Sequence, residues 1–130
     1  MLRKRNLVIA VCVGLALVQG CRHERASTPN LTVSYEVSPL PARAGDVTIT
    51  IKLLDGSNEP IAGARIKLEG NMSHAGMAPV LAEAKEIGPG RYRTNMNLSM
   101  AGDWLVLVHL TLPDGREMDQ QFEIKEVAPA

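Results

Sequence analysis

From Leu31 to the C-terminus, short apolar runs recur roughly every 10 to 15 residues between clusters of Gly, Pro, Asp and Asn, the spacing of an all-β chain. The pattern predicts strands over 31–38, 46–54, 61–69, 80–86, 90–99, 103–111 and 117–126. Val47, Ile49, Ile51 and Leu53 share one parity and Thr48, Thr50 and Lys52 the other, so this strand buries a single face. Ala64, Ile66 and Leu68 alternate with Arg65, Lys67 and Glu69 in the same way. In the sixth run Trp104, Val106, Val108 and Leu110 form a wholly apolar row, the expected core face. Leu105 and Leu107 on the other face predict a central strand, or one partly covered by a loop or partner.

Asp55-Gly56, Gly88-Pro89-Gly90 and Pro113-Asp114-Gly115 mark turns, where glycine adopts positive φ without steric cost. No long amphipathic helix and no internal repeat is visible. About seven strands in some 100 residues predict an immunoglobulin-like antiparallel β-sandwich, without the Cys-Trp-Cys pattern of true immunoglobulin domains.

The first 20 residues follow a different pattern. Arg3, Lys4 and Arg5 precede an apolar stretch from Leu7 to Val18 that is too short to span a bilayer core, which needs about 20 residues. This reads as an export signal. Val18-Gln19-Gly20-Cys21 resembles the lipobox of bacterial lipoproteins, which implies cleavage before Cys21 and lipidation of its thiol; Gln19 departs from the usual small or apolar residue. An ordinary signal peptide or an uncleaved anchor is the alternative. The expected organisation is a signal peptide at 1–20, a lipidated Cys21 and polar tether over 21–30, and one domain over 31–130. It places the domain in the cell envelope, facing the periplasm and anchored to the membrane through lipid. The resemblance to bacterial lipoproteins also implies that Arg22, a residue other than aspartate after the cysteine, permits sorting to the outer membrane, which is slightly favoured over the inner.

Processing removes Cys12 and three basic residues, which leaves 11 Lys and Arg against 14 Asp and Glu, a net charge of −3. That balance gives no reason to expect a nucleic-acid partner. With Cys21 acylated, no free thiol or disulfide remains, so the fold rests on its core alone.

One segment does not read as scaffold. Gly70-Asn71-Met72-Ser73-His74-Ala75-Gly76-Met77-Ala78-Pro79 is expected as a loop with two of the chain's six methionines and one of its three histidines. Thioether sulfur is a soft neutral ligand suited to Cu(I), and imidazole suits copper generally, so Met72, His74 and Met77 are candidate ligands. Zinc would prefer thiolates or more histidine and carboxylate. The competing reading has Met72 and Met77 cap the sandwich as adaptable gap-fillers, with His74 merely solvated.

Four ordered motifs carry a family resemblance over most of residues 31–126. They are Asp55-Gly56 with Pro60-Ile61-Ala62-Gly63-Ala64, then Met72-Ser73-His74-Ala75-Gly76-Met77, then Gly88-Pro89-Gly90-Arg91-Tyr92, and Met100-Ala101-Gly102-Asp103-Trp104. In these the chain resembles the YtkA-like domain, related to the FixH proteins, of small extracytoplasmic β-sandwiches. The resemblance implies metal handling, notably copper traffic, and no enzymatic activity. By position it adds Met100 to the candidate ligands. The chain departs from FixH proteins in lacking a retained transmembrane helix.

Met96 and Met118 fall on apolar parities and are expected in the core, while His109 is expected as a partly exposed sheet histidine and His23 as solvated. No nucleophile elbow, phosphate loop or dinucleotide fingerprint occurs. Two functions therefore stay open: copper binding for handling or delivery to a donor, acceptor or membrane complex, and a metal-free module docking a membrane or periplasmic partner.

Overall fold

The computed structural model describes residues 30–74 and 76–130, so the signal segment, Cys21 and the tether lie outside the described residues. Seven strands run through them: β1 (Thr32–Ser38), β2 (Gly45–Leu54), β3 (Arg65–Met72), β4 (Val80–Gly88), β5 (Arg91–Leu98), β6 (Gly102–Thr111) and β7 (Glu117–Val127). All neighbours pair antiparallel in the order β1-β2-β5-β4-β3-β6-β7, and the described residues contain no helix. The expected immunoglobulin-like all-β architecture is therefore present.

The sheet folds into two layers because β4 changes partner along its length. Val80–Ala84 pair with β3, while Lys85–Gly88 pair with β5, with a register shift between Glu86 and Gly88. The opposite seam is closed by side chains and a short bridge. Tyr35 on β1 stacks on Phe122 on β7 with ring centroids 4.4 Å apart. The Ala44 amide donates to Ala128 O at 2.7 Å, and the Ala128 amide to Ala42 O at 2.9 Å.

The core follows the alternation that predicted it. Val47, Ile49, Ile51 and Leu53 from β2 meet Trp104, Val106, Val108 and Leu110 from β6, all essentially without solvent contact. Met96 is 1% exposed and Met118 packs against the cluster, as their parities required. β6 lies between β3 and β7, which explains the half-buried Leu105 and Leu107 on its outer face.

The third strand departs from the prediction at both ends. It starts at Arg65 rather than 61 because Ile61–Ala64 are held in a loop by Tyr92. The Tyr92 hydroxyl donates to Ile61 O at 2.7 Å and accepts from the Ala64 amide at 3.0 Å. It ends at Met72, so Gly70, Asn71 and Met72 belong to the strand and not to the loop expected over 70–79. Gly70 is a core glycine: a Cβ there would lie 2.8 Å from Met96 Sδ, so a larger residue would displace that side chain.

Candidate metal-binding end

The strand register puts the two methionine-bearing segments at one end of the sandwich. Met72, the last residue of β3, pairs with Trp104 of β6. The Trp104 indole N–H donates to Met100 O at 3.0 Å, which folds the Ser99–Ala101 turn over that strand end. Gly102, at φ +125°, lies under Met72: a Cβ built on it would be 3.1 Å from Met72 Cε. Met96 lies below, against Gly70 and within the core. The end thus grades from buried Met96 through half-buried Met72 to Met100, which is 45% exposed.

Met72 is set by the pleat and not by loop freedom. It has the inward parity of Ile66 and Leu68 and is half-buried, packed on the core. The gap-filling role weighed from sequence therefore describes part of what this side chain does. Its two expected co-ligands differ. His74 is exposed just past β3, and Met77 is 41% exposed in the connection to β4. Among the described residues no hydrogen bond fixes the His74 ring. The elements thus bring Met72 and Met100 to one strand end and set His74 and Met77 on the adjoining connection, in solvent. Among the described residues no three His, Cys, Asp or Glu side chains converge as a metal site.

The chain enters the sandwich at the other end. Asn30 precedes β1, and a Cβ on Gly56, in the β2–β3 turn, would lie 3.0 Å from Asn30 Cβ. Here the remaining motifs interlock. Asp55 Oδ1 accepts the Ser57 and Glu59 amides at 2.8 and 3.0 Å. Gly90, at φ +69°, passes so close to Leu53 O and Pro60 that a Cβ would approach within 2.7 and 2.8 Å. The nine residue steps of β2 separate the two ends by roughly 30 Å at about 3.3 Å per residue.

His109 is on the outer face of β6, in the exposed position its parity predicted. Its Nδ1 is 2.7 Å from Asp119 Oδ1 on β7, and its Nε2 is 3.8 Å from Glu69 Oε2 on β3. The bond to Asp119 raises its pKa above the usual 6.5, and the Glu69 carboxylate adds to this. Its carboxylate partners lie on neighbouring strands, which sequence alone does not align.

The YtkA-like family model matches residues 27–109, well over half of the chain. This protein belongs to the YtkA-like family. No curated protein sequence matches it. Among solved structures, the chain is similar to the PmoD soluble domain from Methylocystis sp. ATCC 49242 (Rockwell), at 14% identity over 73% of this chain and 89% of that one, with a TM-score of 0.47. It is also similar to CopC from Methylosinus trichosporium OB3b, at 17% identity over 78% and 94%, with a TM-score of 0.47. Murine CRIg gives 14% identity over 76% and 98%, with a TM-score of 0.44. The family's motifs have visible structural uses here. Tyr92 and Gly90 clamp the Pro60–Ala64 loop, and Gly102 with Trp104 seats Met72.

Proposed function

We propose that this YtkA-like protein is a periplasm-facing lipoprotein that binds Cu(I) through Met72, His74, Met77 and Met100, and hands copper to or from a partner at the end of the sandwich remote from its lipid. The observation that carries the reading is the placement of Met72 and Met100 at one strand end with two exposed thioethers, Met77 and Met100, beside it. Thioether sulfur in solvent offers a soft ligand without a proton to lose. Because Asn30 enters at the other end, a lipid on Cys21 would leave this end open to a copper donor or acceptor. Outer-membrane anchoring, suggested by Arg22, is part of the same proposal.

Anaerobic Cu(I) titration against a competing chelator tests it. Met72→Leu keeps the apolar volume and removes the sulfur, so stability should change by less than about 1.5 kcal/mol. Loss of a ligand should weaken Cu(I) binding at least about tenfold, the cost of losing even an outer-shell partner. His74→Ala, Met77→Leu and Met100→Leu should act likewise. Parent protein that binds Cu(I) no more tightly than the combined variant removes the copper reading.

A second reading has its own observation. Leu81, 74% exposed on β4, is in register through Glu69 with Leu107 on β6, beside Leu105. These leucines, which flank Glu69, would serve a metal-free docking module. Under this reading the parent shows a flat Cu(I) titration, and Leu81→Glu with Leu107→Glu abolishes partner capture.

A further inference from the structure

The outer face of the sheet formed by β1, β2, β5 and the second half of β4 carries a charge arrangement that the fold does not use. Lys52 on β2 is directly opposite Arg91 on β5, and Lys85 on β4 is directly opposite Arg93 on β5. All four residues are exposed. Like charges directly opposite on neighbouring strands destabilise a sheet. Among the described residues no ion pair within 4.0 Å relieves any of the four. Glu36 is the single carboxylate in the shallow groove that Lys52 and Arg91 line, and Asp46, near the start of β2, is held by the Asn97 amide at 2.8 Å. The outer face of β3, β6 and β7 has the reverse balance, with Glu69, Glu117, Asp119 and Glu123 outnumbering Arg65, Lys67 and Lys125, while Glu83 stands two residues before Lys85 on β4. A local rule broken twice on adjacent strands marks a surface shaped for something outside the fold.

We propose that this cationic face lies against the anionic phospholipid headgroups of the membrane that holds the chain. The inference rests on the reading of the protein as membrane-tethered. Where the chain enters supports it: Ser34, four residues after Asn30, is opposite Lys52, so the tether joins the sandwich beside the two cation pairs. Residues 21 to 30 extend at most about 35 Å, a tether short enough to keep the domain at the surface and long enough to let the face come within one Debye length, about 8 Å, of the headgroups. Each cation near an anionic leaflet adds roughly fivefold to the affinity. Lying on this face would leave the acidic outer face and the Met72 end open to the periplasm.

The test reconstitutes the full chain on vesicles of phosphatidylcholine alone, or with about one-third phosphatidylglycerol to supply the surface charge. Lysine acylation is then quantified by mass spectrometry. Labelling of Lys52 and Lys85 should fall at least about threefold on the anionic vesicles while Lys67 and Lys125 are unchanged, and the protection should disappear in about 0.5 M salt, where screening is nearly complete. Arg91→Glu with Arg93→Glu should abolish the protection and, by turning both like-charge pairs into opposite-charge pairs, leave thermal stability equal or higher. Flotation with neutral vesicles reads the tether alone. A chain that floats with them but labels Lys52 and Lys85 equally on both lipids overturns the proposal and leaves the tether standing, an acidic protein then being the better occupant. A chain that floats only with anionic vesicles and shows the protection keeps the face and overturns the tether.

Discussion

Tyr92→Phe isolates the clamp that holds the family's first and third motifs together. The substitution deletes one hydroxyl from a side chain with no solvent exposure and leaves the ring in place, so it opens no cavity beyond a single oxygen. Two bonds are lost, at 2.7 Å to Ile61 O and 3.0 Å from the Ala64 amide. At about 1 kcal/mol net for each, the cost is about 2 kcal/mol, with water replacing the hydroxyl at the half-buried Ala64 and Ile61. For a domain of this size 1 kcal/mol moves Tm by about 4–8 °C, so the midpoint should drop by roughly 8–16 °C. Urea denaturation at an unchanged m-value should return the same figure. Because the clamp and Met72 are at opposite ends of the sandwich, Cu(I) affinity should not move. A loss below about 0.5 kcal/mol, the ordinary surface range, would refute the clamp as the reason the loop stays out of β3. A parallel fall in copper affinity would refute the separation of the two ends. Burial above all, helped by the Glu86 carboxylate, raises the Tyr92 pKa above 10, so the clamp is intact at neutral pH and weakens only as pH rises through that raised value.

The other predictions concern local geometry and charge. Gly90→Ala meets both a left-handed φ of +69° and the Leu53 carbonyl 2.7 Å from its Cβ, while Gly115→Ala meets φ +89° with open space. The first should cost clearly more than the about 1–2 kcal/mol expected of the second by chemical denaturation; equal costs would show that the backbone contact with Leu53 and Pro60 is unimportant. His109, with its folded pKa raised above 6.5, contributes stability that is complete below 6.5 and lost as pH rises through the folded value. NMR titration of the His109 ring should give a midpoint above 6.5, and Asp119→Asn should bring it back; a parent midpoint at or below 6.5 contradicts the cross-strand bond.

How far the sequence could be read depended on whether the deciding contact was local. β2 and β6 were legible because each buries one face, and period-two alternation is then forced on the chain. Met96 was legible for the same reason. β3 was misplaced because Ile61–Ala64 alternate like a strand, and what holds them off the sheet is a phenol about 30 residues downstream in β5. Gly70 was placed in the loop after the third strand, yet its role is to leave room for Met96 Sδ, a packing fact that no local pattern records. Extending β3 by three residues changes the candidate site itself. Met72 acquires a fixed inward parity, and the freely turning Met72–Met77 loop becomes a strand end followed by a shorter connection. The like-charge pairs Lys52–Arg91 and Lys85–Arg93 were visible as residues but not as pairs, since pairing needs the register.

The structural uses of the family's motifs sharpen the functional question by subtraction. Asp55 closes its turn with two accepted amides, Gly90 and Tyr92 hold the Pro60–Ala64 loop, and Trp104 pins Met100 O while Gly102 seats Met72. Each of these would be retained by selection for folding alone, so their presence says nothing about copper. Met72 has a packing role as well as a sulfur, which makes its conservation in variants ambiguous too. His74 and Met77 are different, since His74 is exposed and Met77 is 41% exposed, and neither belongs to the buried core. An exposed methionine costs the fold apolar burial it could have had, and a polar residue would serve the connection equally well. The proposed copper site is therefore tested most cleanly at Met77, His74 and Met100, where substitution removes no core side chain, and less cleanly at Met72, which packs on the core.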